Sequence, residues 1–121
     1  MGKFNSFEEI KSWQKARVFN KRIYEITDNQ NFKKDFDLLR QIRRASISIS
    51  SNIAEGFERN TDKEFIYFLF IAKASAAEIR SQLYLALDLK YLSEIEFEEL
   101  FNEVSDITKL ISGFIKYLNK S

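Results

Sequence analysis

The sequence predicts an all-α fold, a single-domain antiparallel four-helix bundle running up-down-up-down. Three observations carry this. The 121 residues contain no Pro and only three Gly, so the usual punctuation of hairpins is missing. Three capping-box patterns and one Asp-rich start mark four helix N-termini. Between them, apolar residues recur at three- and four-residue spacing.

The first helix is expected over 7–28, opened by Ser6 with Glu9 three residues on. The hydroxyl of such a Ser accepts the N–H three residues later while the carboxylate reaches back. The polar stretch 28–34 reads as a connection. The second helix, over 36–56, is opened by Asp35 or Asp37 and closed by Gly56, a residue suited to a left-handed terminus. Leu38, Ile42, Ala45, Ile49 and Ile53 keep helical period along it. They outweigh the strand-like alternation Ser46-Ile47-Ser48-Ile49-Ser50, which would have no strand to pair with. The third helix, 62–89, starts at Thr61 with Glu64, and the fourth, 94–119, at Ser93 with Glu96. Short connections make successive helices antiparallel neighbours.

Composition excludes much chemistry. Without Cys or His there is no disulfide, no thiolate nucleophile, no Cys-type zinc site and no imidazole base. The serines of the second helix have nothing to activate them, and no cofactor or metal is expected. The longest apolar run, Phe65 to Ala72, is eight residues, against about 20 for a membrane span. With no apolar signal core near Met1, the expectation is a non-enzymatic cytoplasmic protein that touches no membrane. A carboxylate site built from Glu55 and Glu78 with magnesium is the only enzymatic alternative.

Two features point to partners. The first helix has apolar Val18, Phe19 and Ile26 away from its main face, and the third is apolar all round from Phe65 through Phe70 to Ala72. A helix apolar on all sides is buried on all sides, so these residues are assigned to a homo-oligomer interface. The second helix carries Arg40 and Arg44 on a stripe opposite its core face, flanked by Arg43. Lys33 and Lys34 precede it and Arg59 follows. From Lys33 to Arg59 there are six basic and four acidic residues; from Ser93 onward, three and six. A basic stripe on a rigid helix suits a phosphate backbone, and equally suits ion pairs between subunits. Glu55 and Glu58, beside Arg59, read as ion-pair partners rather than an acid/base couple. Ser48 and Asn52 read as structural polar groups. Asn52, unfavourable in mid-helix, is expected to bond a neighbouring helix and fix register.

The string QIRRASISISSNIAEG, Gln41 to Gly56, resembles the signature of the four-helix-bundle family of proteins encoded in intervening sequences of bacterial ribosomal RNA genes. Trp13, Ala16, Ile23-Tyr24 and Thr27 match its first helix. Arg59, Glu64-Phe65, Phe68-Leu69, Ile71-Ala72 and Glu78 match its third, with Leu89 and Tyr91 at that helix's end. Where the family often has Pro, after Phe32 and after Ile49, this chain has Lys33 and Ser50. The resemblance implies a ring-shaped homopentamer. It also implies kinship with the accessory protein of diversity-generating retroelements, a basic pentamer that works with a reverse transcriptase and RNA. RNA is therefore the expected partner. The alternative is a protein–protein scaffold whose arginines hold subunits together.

Overall fold

Four long helices follow from these local signals, and a short one, with other departures, appears where packing outweighs them. The computed structural model describes residues 4–120. A single 3-10 turn, Phe7–Glu9, leads into α1 (Lys11–Ile26). Then come α2 (Gln30–Lys34), α3 (Phe36–Phe57), α4 (Asp62–Asp88) and α5 (Glu94–Asn119). The long helices pack in the cycle α1–α3–α4–α5 and back to α1. Pairs of cross-contacts running in opposite order make each neighbouring pair antiparallel: Asn20 with Ser50 and Thr27 with Arg43, Ser48 with Ser75 and Phe57 with Phe65, Arg80 with Thr108 and Phe65 with Phe114, and Arg22 with Glu99 where Lys11 shares a groove with Leu110.

The predicted first helix is broken. Ser6 makes no capping hydrogen bond, and Ile10 adopts extended geometry (φ −78°, ψ 123°) between the 3-10 turn and α1. Ile10 is 1% exposed, and Phe7 meets Trp13 edge-on at 5.0 Å. Burying both side chains requires the chain to turn where local capping alone would have continued it. The stretch expected to be a plain connection folds as α2. Asn29 Oδ1 accepts from the Phe32 N–H at 2.9 Å, and Phe32 is fully buried against Tyr91.

Asp35 is the cap of α3. Its Oδ1 accepts from the Leu38 N–H at 3.2 Å, and its Oδ2 accepts from the Tyr91 hydroxyl at 3.0 Å. One carboxylate thus ties the start of α3 to the segment after α4. Thr61 accepts from the Glu64 N–H, and Ser93 with Glu96 forms a complete capping box.

Gly56 does not end α3. It lies buried inside the helix, and a Cβ there would sit 2.7 Å from Phe68 Cβ and 2.9 Å from Phe65 Cδ1. Its role is close approach of α3 and α4, not a left-handed terminus. The left-handed residue is Lys90, at φ 63°. There the Tyr91 N–H bonds Ala86 O and the Lys90 N–H bonds Leu87 O, both at 2.9 Å, the Schellman arrangement with a lysine in place of glycine.

Candidate nucleic-acid interface

The core face of α3 is set by Leu38, Ile42, Ala45, Ile49 and Ile53, all buried. Helical geometry then forces Arg40, Arg44, Ile47 and Ser51 outward, and all four are exposed. Arg40, Arg43, Arg44 and Ile47 line an open groove of about 520 Å³ with Tyr24 of α1. Asp37 and Gln41 complete its wall. Among the described residues, neither Arg40 nor Arg44 makes an ion pair; Arg40 lies 5.7 Å from the ring centre of Phe36.

The other predicted basic residues divide. Arg43 is half-buried and acts as a clamp between α1 and α3. Its Nε donates to Thr27 Oγ1 at 3.0 Å, an Nη donates to Tyr24 O at 3.4 Å, and its guanidinium lies 4.3 Å from the Tyr24 ring centre. Lys33 pairs with Asp28 at 2.9 Å, and that contact lowers the Asp28 pKa. Lys34 is exposed and unpaired among the described residues. Arg59 sits about 22 Å along the axis from Arg44. It bonds Glu55 at 3.2 Å and lies over the Phe68 ring at 4.6 Å. The structure therefore brings Arg40, Arg43 and Arg44 together and leaves Arg59 apart.

The polar groups of α3 hold the bundle. Ser46 and Ser50 face α1: Ser46 Oγ donates to Asn20 Oδ1 at 2.7 Å, and Asn20 Nδ2 donates to Ser50 Oγ at 3.0 Å. Ser48 faces α4, its Oγ 2.9 Å from Ser75 Oγ. Asn52 does not reach a neighbouring helix; its Nδ2 donates to Ser48 O and Oγ at 2.8 and 2.9 Å. The register bond belongs to Ser48, with Asn52 behind it. Asn20 is the residue that the sequence reading missed. The signal was a mid-helix Asn opposite two serines spaced four apart.

Two assigned interface residues are core instead. Phe19, 1% exposed, lies three residues after Ala16 and four before Ile23, on the stripe facing inward. Phe65, 4% exposed, packs edge-on against Phe57 and Phe114. Ile26 is half-buried against the core. Val18 and Phe70 are exposed, and on α4 Phe70 continues an outward apolar stripe with Tyr67, Ala74 and Leu85. Val18 borders a groove of about 410 Å³ between α1 and α5. Arg22 crosses it to Glu99 at 3.0 Å and Glu103 at 3.4 Å, and the Glu99 hydrogen bond raises its pKa.

Glu55 and Glu78 do not form one site. Glu55 bonds Arg59, and Glu78 accepts from Gln82 at 3.1 Å. With Gly56 opposite Phe68, Glu55 lies about 15 Å along the axis from Glu78. Among the described residues no acidic cluster could hold a metal ion, and no helix is long and apolar enough to cross a membrane.

The model of the 23S rRNA-intervening sequence protein family matches residues 8–113 of this chain. A crystal structure of a protein with unknown function from the S23 ribosomal protein family of Bacteroides thetaiotaomicron superposes with a TM-score of 0.81. The two are 30% identical, over 87% of this chain and 95% of that one. None of the curated proteins matches.

Proposed function

The chain belongs to the 23S rRNA-intervening sequence protein family, and from that membership we propose that it is a non-enzymatic RNA-binding protein that assembles as a homopentamer in the cytoplasm. The observation that carries the reading is the pair Arg40 and Arg44, exposed one turn apart on a rigid helix and free of carboxylate partners among the described residues. A guanidinium fork fits two phosphate oxygens, and a helix held on both flanks keeps the forks in place. The chain's net charge is only +1, so a single groove is a weak binder. A ring repeats the groove once per subunit and turns it into a belt. The outward apolar residues Val18, Tyr67, Phe70 and Leu85 are the contact surface between subunits, which accounts for apolar exposure that one protomer leaves open.

Such binding reads phosphates more than bases. It falls steeply with salt and is weakly selective for sequence. The test is fluorescence anisotropy with labelled RNA from about 50 to 200 mM salt. The expected result is salt-dependent binding that Arg40→Glu with Arg44→Glu abolishes, while light scattering shows the oligomer unchanged. No binding at low salt, or dissociation of the double variant, would refute it and favour a scaffold in which these arginines join subunits.

A further inference from the structure

The groove carries more than arginines. Phe36, the first residue of α3, stands just outside the groove's lining, 63% exposed, with the guanidinium of the lining residue Arg40 5.7 Å from its ring centre. Tyr24, on α1, is 41% exposed, with Arg43 at 4.3 Å from its ring centre. Arg40, Arg43, Arg44 and Tyr24 all line the groove, with Arg44 one turn beyond Arg40 on the side away from Arg43. Phe36 is not among the residues that form or pack against the core. The result is two aromatic–arginine pairs with an unpaired cation, Arg44, beside them.

This arrangement discriminates between forms of RNA. In an A-form duplex the bases stack on one another, and the deep, narrow major groove keeps side chains from them. A duplex can offer this groove its phosphates alone. A single strand can offer both phosphates and π-faces, and bases stack on aromatic rings and on guanidinium planes alike. Resting on the RNA-binding reading above, we propose that the groove takes single-stranded RNA. Phosphates lie on Arg40 and Arg44, and unstacked bases pack against Phe36 and the Tyr24–Arg43 pair. Every base has a π-face, so stacking adds affinity for single strands without adding a sequence code.

The test uses the full chain with two labelled probes, oligouridylate of about twenty nucleotides and an RNA duplex of similar length, each longer than one such site occupies. Kd is measured by anisotropy at one salt concentration for the wild type, Phe36→Ala and Phe36→Trp. The expected result is tighter binding of the single strand. Phe36→Ala should weaken that probe about tenfold and leave the duplex unchanged, while Phe36→Trp should retain it. Equal binding of both probes, or equal loss on both in Phe36→Ala, overturns single-strand selection and leaves RNA binding standing. Binding of neither probe by the wild type ends the RNA reading itself. Dissociation of Phe36→Ala in light scattering makes Phe36 a subunit contact and overturns the proposal.

Discussion

Replacing Gly56 by Ala should destabilise the protein, although alanine is the better helix former. The added Cβ would stand 2.7 Å from Phe68 Cβ, at least about 0.7 Å inside ordinary contact. That atom cannot swing aside, because a Cβ is fixed to its own backbone. Phe65 Cδ1 at 2.9 Å and Phe65 O at 3.3 Å close the other directions. Relief therefore requires α3 and α4 to separate, loosening the contacts on either side of Gly56. Overpacking of this kind costs about 1–3 kcal/mol, and the Gly-to-Ala propensity gain returns up to about 1 kcal/mol. With the full gain returned the net loss is up to about 2 kcal/mol, a fall in Tm of up to roughly 8 °C for a chain this size. Gly113 supplies the internal control. It is exposed within α5, and a Cβ there meets nothing within 4 Å. Gly113→Ala should raise stability by up to about 1 kcal/mol. Thermal unfolding followed by circular dichroism at fixed protein concentration reads both variants. A Gly56→Ala protein as stable as Gly113→Ala would refute the claim that the glycine exists for helix approach.

Three further outcomes follow from contacts described above. Asn20→Ala leaves the Ser46 hydroxyl, fully buried, without its acceptor, and should cost roughly 1–3 kcal/mol; an unchanged urea midpoint would sink this. The Tyr91 hydroxyl bonds the Asp35 carboxylate, which raises the Tyr91 pKa above its ordinary 10.0. Folding thus favours the neutral phenol, so its contribution is whole below that pH and lost as pH rises beyond it. The wild type should lose stability faster than Tyr91→Phe on alkaline titration, and parallel curves would count against the bond. Phe70→Asp should release folded monomers, whereas Phe19→Asp should unfold the chain, since only the first is exposed; light scattering and circular dichroism together distinguish these.

The sequence made the helices legible and the connections less so, for a physical reason. Capping at Thr61 and Ser93 depends on atoms three residues away, and both caps form as their spacing predicts. The break at Ile10, the burial of Phe32 and the close approach at Gly56 depend on packing between elements: Phe7 on Trp13, Phe32 on the distant Tyr91, and Gly56 on Phe65 and Phe68 of the next helix. The arginine stripe was readable because the opposite face of α3 is unambiguously apolar. Arg43 was not, because its acceptors belong to α1. On α1 the spacing of Ala16, Phe19 and Ile23 does separate Phe19 from Val18, whereas on α4 the apolar residues spread too widely for spacing alone to separate Phe65 from Phe70. Packing decides that case.

The serines of α3 bear on how accurately an assembly can be built. Ser46 and Ser50 are keyed to Asn20 on one flank, and Ser48 to Ser75 on the other. A shaft keyed on two sides cannot turn. At a side-chain radius of about 6 Å, a 20° roll of α3 would shift Arg40 and Arg44 sideways by about 2 Å, while carrying the serine hydroxyls, nearer the axis, about 1 Å out of line with their partners, enough to weaken each bond. In a closed ring, angular errors add from one subunit to the next, so closure tolerates only a small error in each. The alternation that resembles a strand thus acts as an angular lock, setting the bearing of Arg40, Arg43 and Arg44 within each protomer.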